Sequence, residues 1–71
     1  MKDFYGDIGS RIKEKRLALK LTREKLAHMA KISDKFLYEI ELGKKGMSAE
    51  TLYKIAKALD VTTDWLFGDK K

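Results

Sequence analysis

The sequence predicts an all-α fold: one compact domain, residues 1–71, with five short helices and no strand. Three observations predict it. Apolar residues recur at spacings of three and four, proline is absent, and Ser or Thr stands before most apolar segments, where it would cap a helix. A chain this short buries only about 60% of the surface that its unfolded form exposes. Because it has no cysteine for disulfides or thiolate ligands, helix packing alone must provide its stability.

The first two helices are predicted from their apolar stripes. In the first helix, spacings of four, four and three residues place one set of side chains on the same face: Ile8, Ile12, Arg16 and Leu19. Lys20-Leu21 closes this helix, and Thr22 is a good N-cap for the next. The inner face of the short second helix consists of Leu26, Ala27 and Ala30. A tight turn is expected at Lys31-Ile32.

Ser33 caps the third helix, which is expected to reach about Leu42 with Leu37 and Ile40 facing inward. Gly43 ends it, because a residue that tolerates positive φ is needed there. After a loop over residues 44–47, Ser48 caps a fourth helix, with the stripe Leu52, Ile55, Ala56 and Leu59. Thr62 caps the last helix, expected from Thr63 to Phe67.

The positive charge is concentrated in one segment. The chain has a net charge of +5, and residues 11–25 alone hold seven basic and two acidic residues. Such a cluster attracts polyanions over a Debye length of about 8 Å at physiological salt. A solvated helix face has the same appearance, so charge alone leaves both interpretations open.

Several classes of protein are not supported by the composition. No apolar run is longer than three residues, and the first six residues lack the apolar core of a signal peptide, so neither a membrane span nor secretion is expected. The absence of cysteine fits a reducing, cytoplasmic setting. His28, the only histidine, is expected at the surface or near a phosphate rather than at a metal. With no catalytic constellation visible, we expect no enzyme activity, cofactor or small-molecule ligand.

The second and third helices have the features of a helix-turn-helix motif, about residues 23–42. This DNA-reading motif joins two short helices by a turn of three or four residues. It needs a small residue where the helices approach, here Ala27, and apolar anchors beneath the second helix, here Leu37 and Ile40. The exposed face of the helix over 33–42 can then enter a major groove about 12 Å wide.

Residues 8–67 resemble the Cro/C1-type (Xre) repressor family, which has the five-helix lambda-repressor-like fold. The resemblance is carried, in this order, by Ile12–Arg16, Leu21–Ala27, Ile32-Ser33, Leu37–Lys44, Ser48–Leu59 and Val61–Leu66. Three positions depart from the family pattern: Arg23 replaces a glutamine, Lys31 the turn glycine and Met47 a frequent proline. The resemblance implies a transcriptional regulator, expected to be a repressor, that binds specific sites in double-stranded DNA.

The resemblance also implies which residues contact DNA. Candidates for reading bases are Ser33, Asp34, Lys35, Phe36, Tyr38 and Glu39. Candidates for binding phosphate are Thr22, Arg23, Lys44 and Lys45. The acidic candidates Asp34 and Glu39 either accept a hydrogen bond from cytosine or merely cap and solvate the helix. Phe36 either contacts a thymine methyl group or packs against the neighbouring helix.

Arg16 is expected to have a structural role. It lies on the apolar stripe of the first helix, where an unpaired charge is costly. The family resemblance implies that it pairs with Glu41, near the end of the third helix, and so holds these two helices together.

The active form is expected to be a homodimer. One reading helix of about ten residues is roughly 15 Å long and covers too few base pairs to select one genomic site. Two copies would read half-sites about 34 Å apart. The candidate contact surface is the last helix, with Trp65 and Phe67. A competing surface is Phe4-Tyr5, which lies outside the family pattern and could instead fold back onto the core. Alternative functions are a protein-interaction module or an antitoxin that retains the helix-turn-helix fold.

Overall fold

Five helices follow one another in a computed structural model that describes residues 4–68. They are α1 (Phe4–Ala18), α2 (Arg23–Ala30), α3 (Asp34–Glu41), α4 (Ala49–Leu59) and α5 (Thr63–Leu66). No strand occurs between residues 4 and 68, so the predicted all-α class and the order of the helices are confirmed. Within the same residues, no helix is long and apolar enough to cross a membrane.

The helices α2 to α5 each begin at the predicted hydroxyl cap. The side-chain oxygen of each cap accepts a hydrogen bond of 3.0–3.1 Å from the backbone N–H three residues later. The four caps are Thr22, Ser33, Ser48 and Thr62. Replacing such a cap by alanine typically costs about 1 kcal/mol, so these residues determine where the helices start.

The helices α1 to α4 end at residues with left-handed backbone. Their φ values are 60° at Lys20, 58° at Lys31, 76° at Gly43 and 59° at Asp60. After α1, the N–H of Lys20 donates to the carbonyl of Leu17, and the N–H of Leu21 to that of Arg16, both at 3.0 Å. This is the Schellman pattern, which satisfies carbonyls that the helix end leaves free. Only one of these residues is a glycine, and a left-handed residue with a Cβ costs about 1 kcal/mol.

Three of these helix ends share one pattern. Each left-handed residue is followed by an apolar residue that packs against the core, and then by a Thr or Ser cap. We call these tripeptides the connectors: Lys20-Leu21-Thr22, Lys31-Ile32-Ser33 and Asp60-Val61-Thr62. They let one helix end and the next begin without a longer loop.

The prediction for Leu19 was wrong. It was assigned to the buried stripe of the first helix, but α1 ends at Ala18 and Leu19 is 43% exposed. The left-handed Lys20 turns the chain, so that Leu21 packs against the core instead. The structure also ends α5 at Leu66, one residue before the predicted Phe67, and it ends α3 at Glu41.

The core is apolar and receives residues from all five helices. Its buried members are Ile8, Ile12, Leu26, Ala27, Ala30, Leu37, Ile40, Leu52, Ile55, Ala56, Leu59 and Leu66. Helix α1 lies with its backbone against the last turn of α3, at Gly9. A Cβ at this position would overlap the carbonyl oxygen of Ile40 and lie 2.9 Å from that of Glu41. Only glycine therefore permits this approach.

Arg16 and Glu41 form a buried ion pair in the same α1–α3 contact. The Nε and Nη2 atoms of Arg16 donate to the two carboxylate oxygens of Glu41, at 2.7 and 3.0 Å. Its Nη1 atom donates to the carbonyl of Leu21 at 3.0 Å. The two residues are only 7% and 8% exposed. One guanidinium thus joins α1, the first connector and the end of α3.

Candidate nucleic-acid interface

The outer face of α3 presents the base-reading candidates. From beneath, α3 is anchored by the fully buried Leu37 and Ile40. Ser33 acts as its N-cap, accepting from the N–H of Phe36 at 3.0 Å. Lys35 is exposed, and the ion pairs found among residues 4–68 do not include it. Its ammonium group is therefore available as a donor.

Arg23 links the start of α2 to α3. Its Nε donates to Oδ1 of Asp34 at 3.0 Å, and its Cζ lies 4.9 Å from the ring centroid of Tyr38. The two contacts hold the guanidinium across the turn, by an ion pair and a cation–π contact. Its terminal nitrogens form no hydrogen bond within the described residues, so they remain available to a phosphate. This arrangement combines two candidates from the sequence, Arg23 and Asp34, in one cluster.

The other acidic candidate also faces a cation. Oε1 of Glu39 lies 3.9 Å from Nζ of Lys45, a residue of the loop that follows α3. We call the outer face of α3 the reading face. Both of its acidic side chains, Asp34 and Glu39, thus have a basic partner. The repulsion that they would exert on a duplex is reduced accordingly.

Phe36 lies differently from the polar candidates. Its side chain is half-buried and packs against the core cluster. This position favours packing over contact with a thymine methyl group. Tyr38, by contrast, is exposed and supports Arg23.

The phosphate candidates lie at the start of α2 and in the loop before α4. Thr22 uses its hydroxyl oxygen to accept from the N–H of Lys25 at 3.0 Å. Lys44 is exposed and belongs to none of the ion pairs of the described region. Tyr5 packs over the loop, since a Cβ at Gly46 would lie 2.9 Å from its Cζ. The sequence left two roles open for Tyr5, a dimer surface or folding back onto the core, and did not predict its contact with this loop.

The two candidate dimer surfaces are one surface in the structure. Phe67 is 46% exposed and stacks on Phe4, with 5.7 Å between ring centroids, and Phe4 meets Tyr5 edge-on at 5.3 Å. We call Phe4, Tyr5 and Phe67 the aromatic patch. Trp65 is half-buried against the core, with Nζ of Lys15 at 6.0 Å from its ring centroid.

Metal ligands do not cluster in the part of the chain that the structure describes. Between residues 4 and 68 there is no group of three or more His, Cys, Asp or Glu side chains that could hold an ion. His28 is exposed on α2. The polar groups of the candidate interface are lysine amines, the Arg23 guanidinium, hydroxyl caps and the carboxylates of Asp34 and Glu39.

Comparisons with known proteins fit this geometry. The family model "Helix-turn-helix domain" matches residues 9–70. A Rhodospirillum rubrum protein, described as an uncharacterized transcriptional regulator in the ATPase CF(0) region, is 40% identical over 62 residues. The match covers 87% of this chain and 57% of that protein, so the chain spans little more than half the length of this relative.

Solved structures of regulators are also similar. The restriction-modification controller protein C.AhdI from Aeromonas hydrophila matches with a TM-score of 0.85 and 29% identity, over 87% of this chain and 94% of that one. The clp gene regulator ClgR from Corynebacterium glutamicum matches with a TM-score of 0.88 and 25% identity, over 92% and 69% of the two chains. Both similarities extend over nearly the whole described fold.

Proposed function

Because the chain belongs to the helix-turn-helix domain family, as a member of the Cro/C1 (Xre) type, we propose that it regulates transcription by binding specific duplex DNA sites. The observation that carries this proposal is the outer face of α3. Lys35 is free there, and both acidic residues of the face are paired with cations. We further propose repression: transcription in vitro from a promoter that carries the operator should fall as protein is added.

The geometry supports a division of roles on this surface. Helix α3 has eight residues, so it is about 12 Å long and fits lengthwise into a major groove. We propose that Lys35, near its N-terminus, donates to a guanine edge, as reading residues in helix-turn-helix proteins do. Lys44 and the terminal nitrogens of Arg23 would bind the flanking phosphates.

Binding to duplex DNA should depend steeply on salt. Each phosphate contact releases counterions, so the affinity should fall sharply between about 50 and 200 mM salt. Lys44→Ala should weaken binding to all sequences and reduce the logarithmic salt slope by about one unit. Fluorescence anisotropy with a labelled duplex measures this, and the control is Lys57→Ala, at an exposed lysine of α4 outside the candidate DNA contacts. An affinity that does not respond to salt would favour the protein-interaction alternative.

Lys35 should determine sequence preference. Lys35→Ala is expected to cost about 1–3 kcal/mol of binding free energy on an operator selected from random duplexes, and much less on random DNA. The loss differs because only the operator offers the matching base edge. Lys44→Ala is the matched control, since a phosphate contact should lose the same on both duplexes. Equal losses for Lys35→Ala would make Lys35 a phosphate contact.

We propose that two copies pair through the aromatic patch. Phe4 is 58% exposed, and its stacking with Phe67 joins the two chain ends into one apolar surface. Burying it against a second copy would remove this surface from water and pair two reading helices.

Sedimentation equilibrium tests this pairing. Phe67→Ser should raise the dimer dissociation constant about tenfold or more, because a buried aromatic side chain is a typical hot spot. Leu17→Ser is the control, since Leu17 is a comparably exposed apolar residue of α1. The pairing would be contradicted if both variants dissociate equally, or if one protomer saturates a non-palindromic operator.

A further inference from the structure

A concave surface, separate from the outer face of α3, lies between the end of α2 and the second half of α4. It is a groove of about 420 Å³, lined by Met29, Ala30, Lys31, Tyr53, Lys54, Lys57 and Ala58. None of these residues belongs to the reading face, to the phosphate candidates or to the aromatic patch. The DNA-binding proposal therefore leaves this surface without a role.

The groove has apolar walls that solvent reaches. Met29 is 42% exposed and Tyr53 57% exposed, while Ala30 is buried between the two helices. Methionine adapts its shape to an incoming side chain, and an exposed tyrosine offers a large contact area with few rotatable bonds. A ligand with an apolar side chain would gain free energy by covering these two residues.

The rim of the groove carries an excess of positive charge. Of its three lysines, Lys54 is offset by Glu50, with 3.6 Å between Nζ and Oε2. Neither Lys31 nor Lys57 takes part in an ion pair within residues 4–68. Nζ of Lys57 instead lies 5.7 Å from the ring centroid of Tyr53. Two ammonium groups thus flank the exposed Met29 and Tyr53.

We propose that this groove binds an acidic, amphipathic segment of a partner protein. Apolar side chains of the segment pack on Met29 and Tyr53, and its carboxylates pair with Lys31 and Lys57. A second copy of this chain is a poor occupant, because a two-fold contact would bring the same lysines face to face. A DNA backbone would satisfy the lysines but offers no apolar side chain to cover the walls.

The proposal is tested with the full chain, labelled with ¹⁵N, and a synthetic helical peptide rich in glutamate and leucine. Amide shifts are expected at Met29, Tyr53 and Ala58 and not at Lys35. Two control peptides, with Glu replaced by Gln or Leu by Ser, should bind much more weakly. The proposal would be overturned if about 1 mM peptide shifts no amide of the groove, because a dissociation constant above that concentration means negligible affinity. Equal binding of the Gln peptide would also overturn it.

Variants locate the site independently of DNA binding. Tyr53→Ser should weaken peptide binding about tenfold, as the loss of an aromatic anchor does. Lys57→Glu should weaken it about fivefold, and Lys13→Glu, outside the groove, should change it little. All three positions are exposed, so the variants should melt as the unmodified chain does, and Tyr53→Ser, which changes no charge, should also bind operator DNA unchanged. If a random duplex shifts the same groove amides, the groove is a nucleic-acid contact and the proposal fails.

Discussion

Arg16→Ala should lower the free energy of unfolding by about 3–5 kcal/mol, because it leaves the buried Glu41 carboxylate without its partner. Arg16 also donates to the carbonyl of Leu21, so the first connector loses a hydrogen bond in the same variant. A small domain has a total stability of only about 5 kcal/mol. We therefore expect Arg16→Ala to retain only about 0–2 kcal/mol of stability and to be partly unfolded at room temperature.

Urea titration followed by circular dichroism measures this effect. Lys13→Ala, on the exposed face of α1, is the control and should change the stability by no more than about 0.5 kcal/mol. The double variant Arg16→Met/Glu41→Leu should recover most of the loss, since it removes both charges and keeps an apolar contact. If Arg16→Ala and Lys13→Ala unfold at the same urea concentration, the ion pair contributes nothing to the free energy of unfolding.

Gly9→Ala should destabilise the protein, although helix propensity alone predicts the opposite. In an exposed helix this substitution would stabilise by about 1 kcal/mol. Here the new Cβ meets only backbone atoms, the carbonyl oxygens of Ile40 and Glu41. No side chain can rotate away, so α1 must move from α3. Such overpacking typically costs about 1–3 kcal/mol, and here it also strains the Arg16–Glu41 pair, so we expect the upper end.

The sign of the change is the decisive observation. Gly46→Ala is the matched control, because its Cβ would meet the ring of Tyr5, whose side chain can shift. We expect a small effect there and a clear loss of stability for Gly9→Ala. If Gly9→Ala stabilises the protein instead, α1 can move away from α3 at little cost.

The starts of the helices could be predicted because their cause is local. A Ser or Thr hydroxyl caps the amide three residues later, and the apolar stripe that follows shows which face is buried. The four caps and the inward residues of α2 to α4 were predicted on this basis and are confirmed. Gly43 marked one helix end in the same way.

The ends of α1 and α4 have no glycine that would mark them in the sequence. Lys20 and Asp60 adopt left-handed backbone without being glycine, so spacing alone extended the first stripe to Leu19. The signal that would have helped is the repeated pattern of an apolar residue followed by Thr or Ser. Leu21, Ile32 and Val61 each precede a cap.

Two contacts between distant residues could not be predicted from the sequence. Arg23 reaches Asp34 across the turn, and Phe67 reaches Phe4 from the other end of the chain. Neither contact follows from periodicity, because each depends on how the helices pack. The first contact places Asp34, a base-reading candidate, in a cluster with Arg23. The second contact joins the two candidate dimer surfaces into one.

The connectors have a consequence for the lifetime of the protein in the cell. Lys20, Lys31 and Asp60 hold left-handed backbone that glycine would adopt at lower cost, so together they forgo about 2–3 kcal/mol of stability. A difference of that size raises the unfolded fraction about 30-fold or more, and proteases act on that fraction. Bound DNA would counteract it by mass action, so molecules off their operator would be degraded first. Pulse-chase half-lives of the chain with and without the three glycine substitutions measure this, and equal half-lives would show that turnover is set elsewhere.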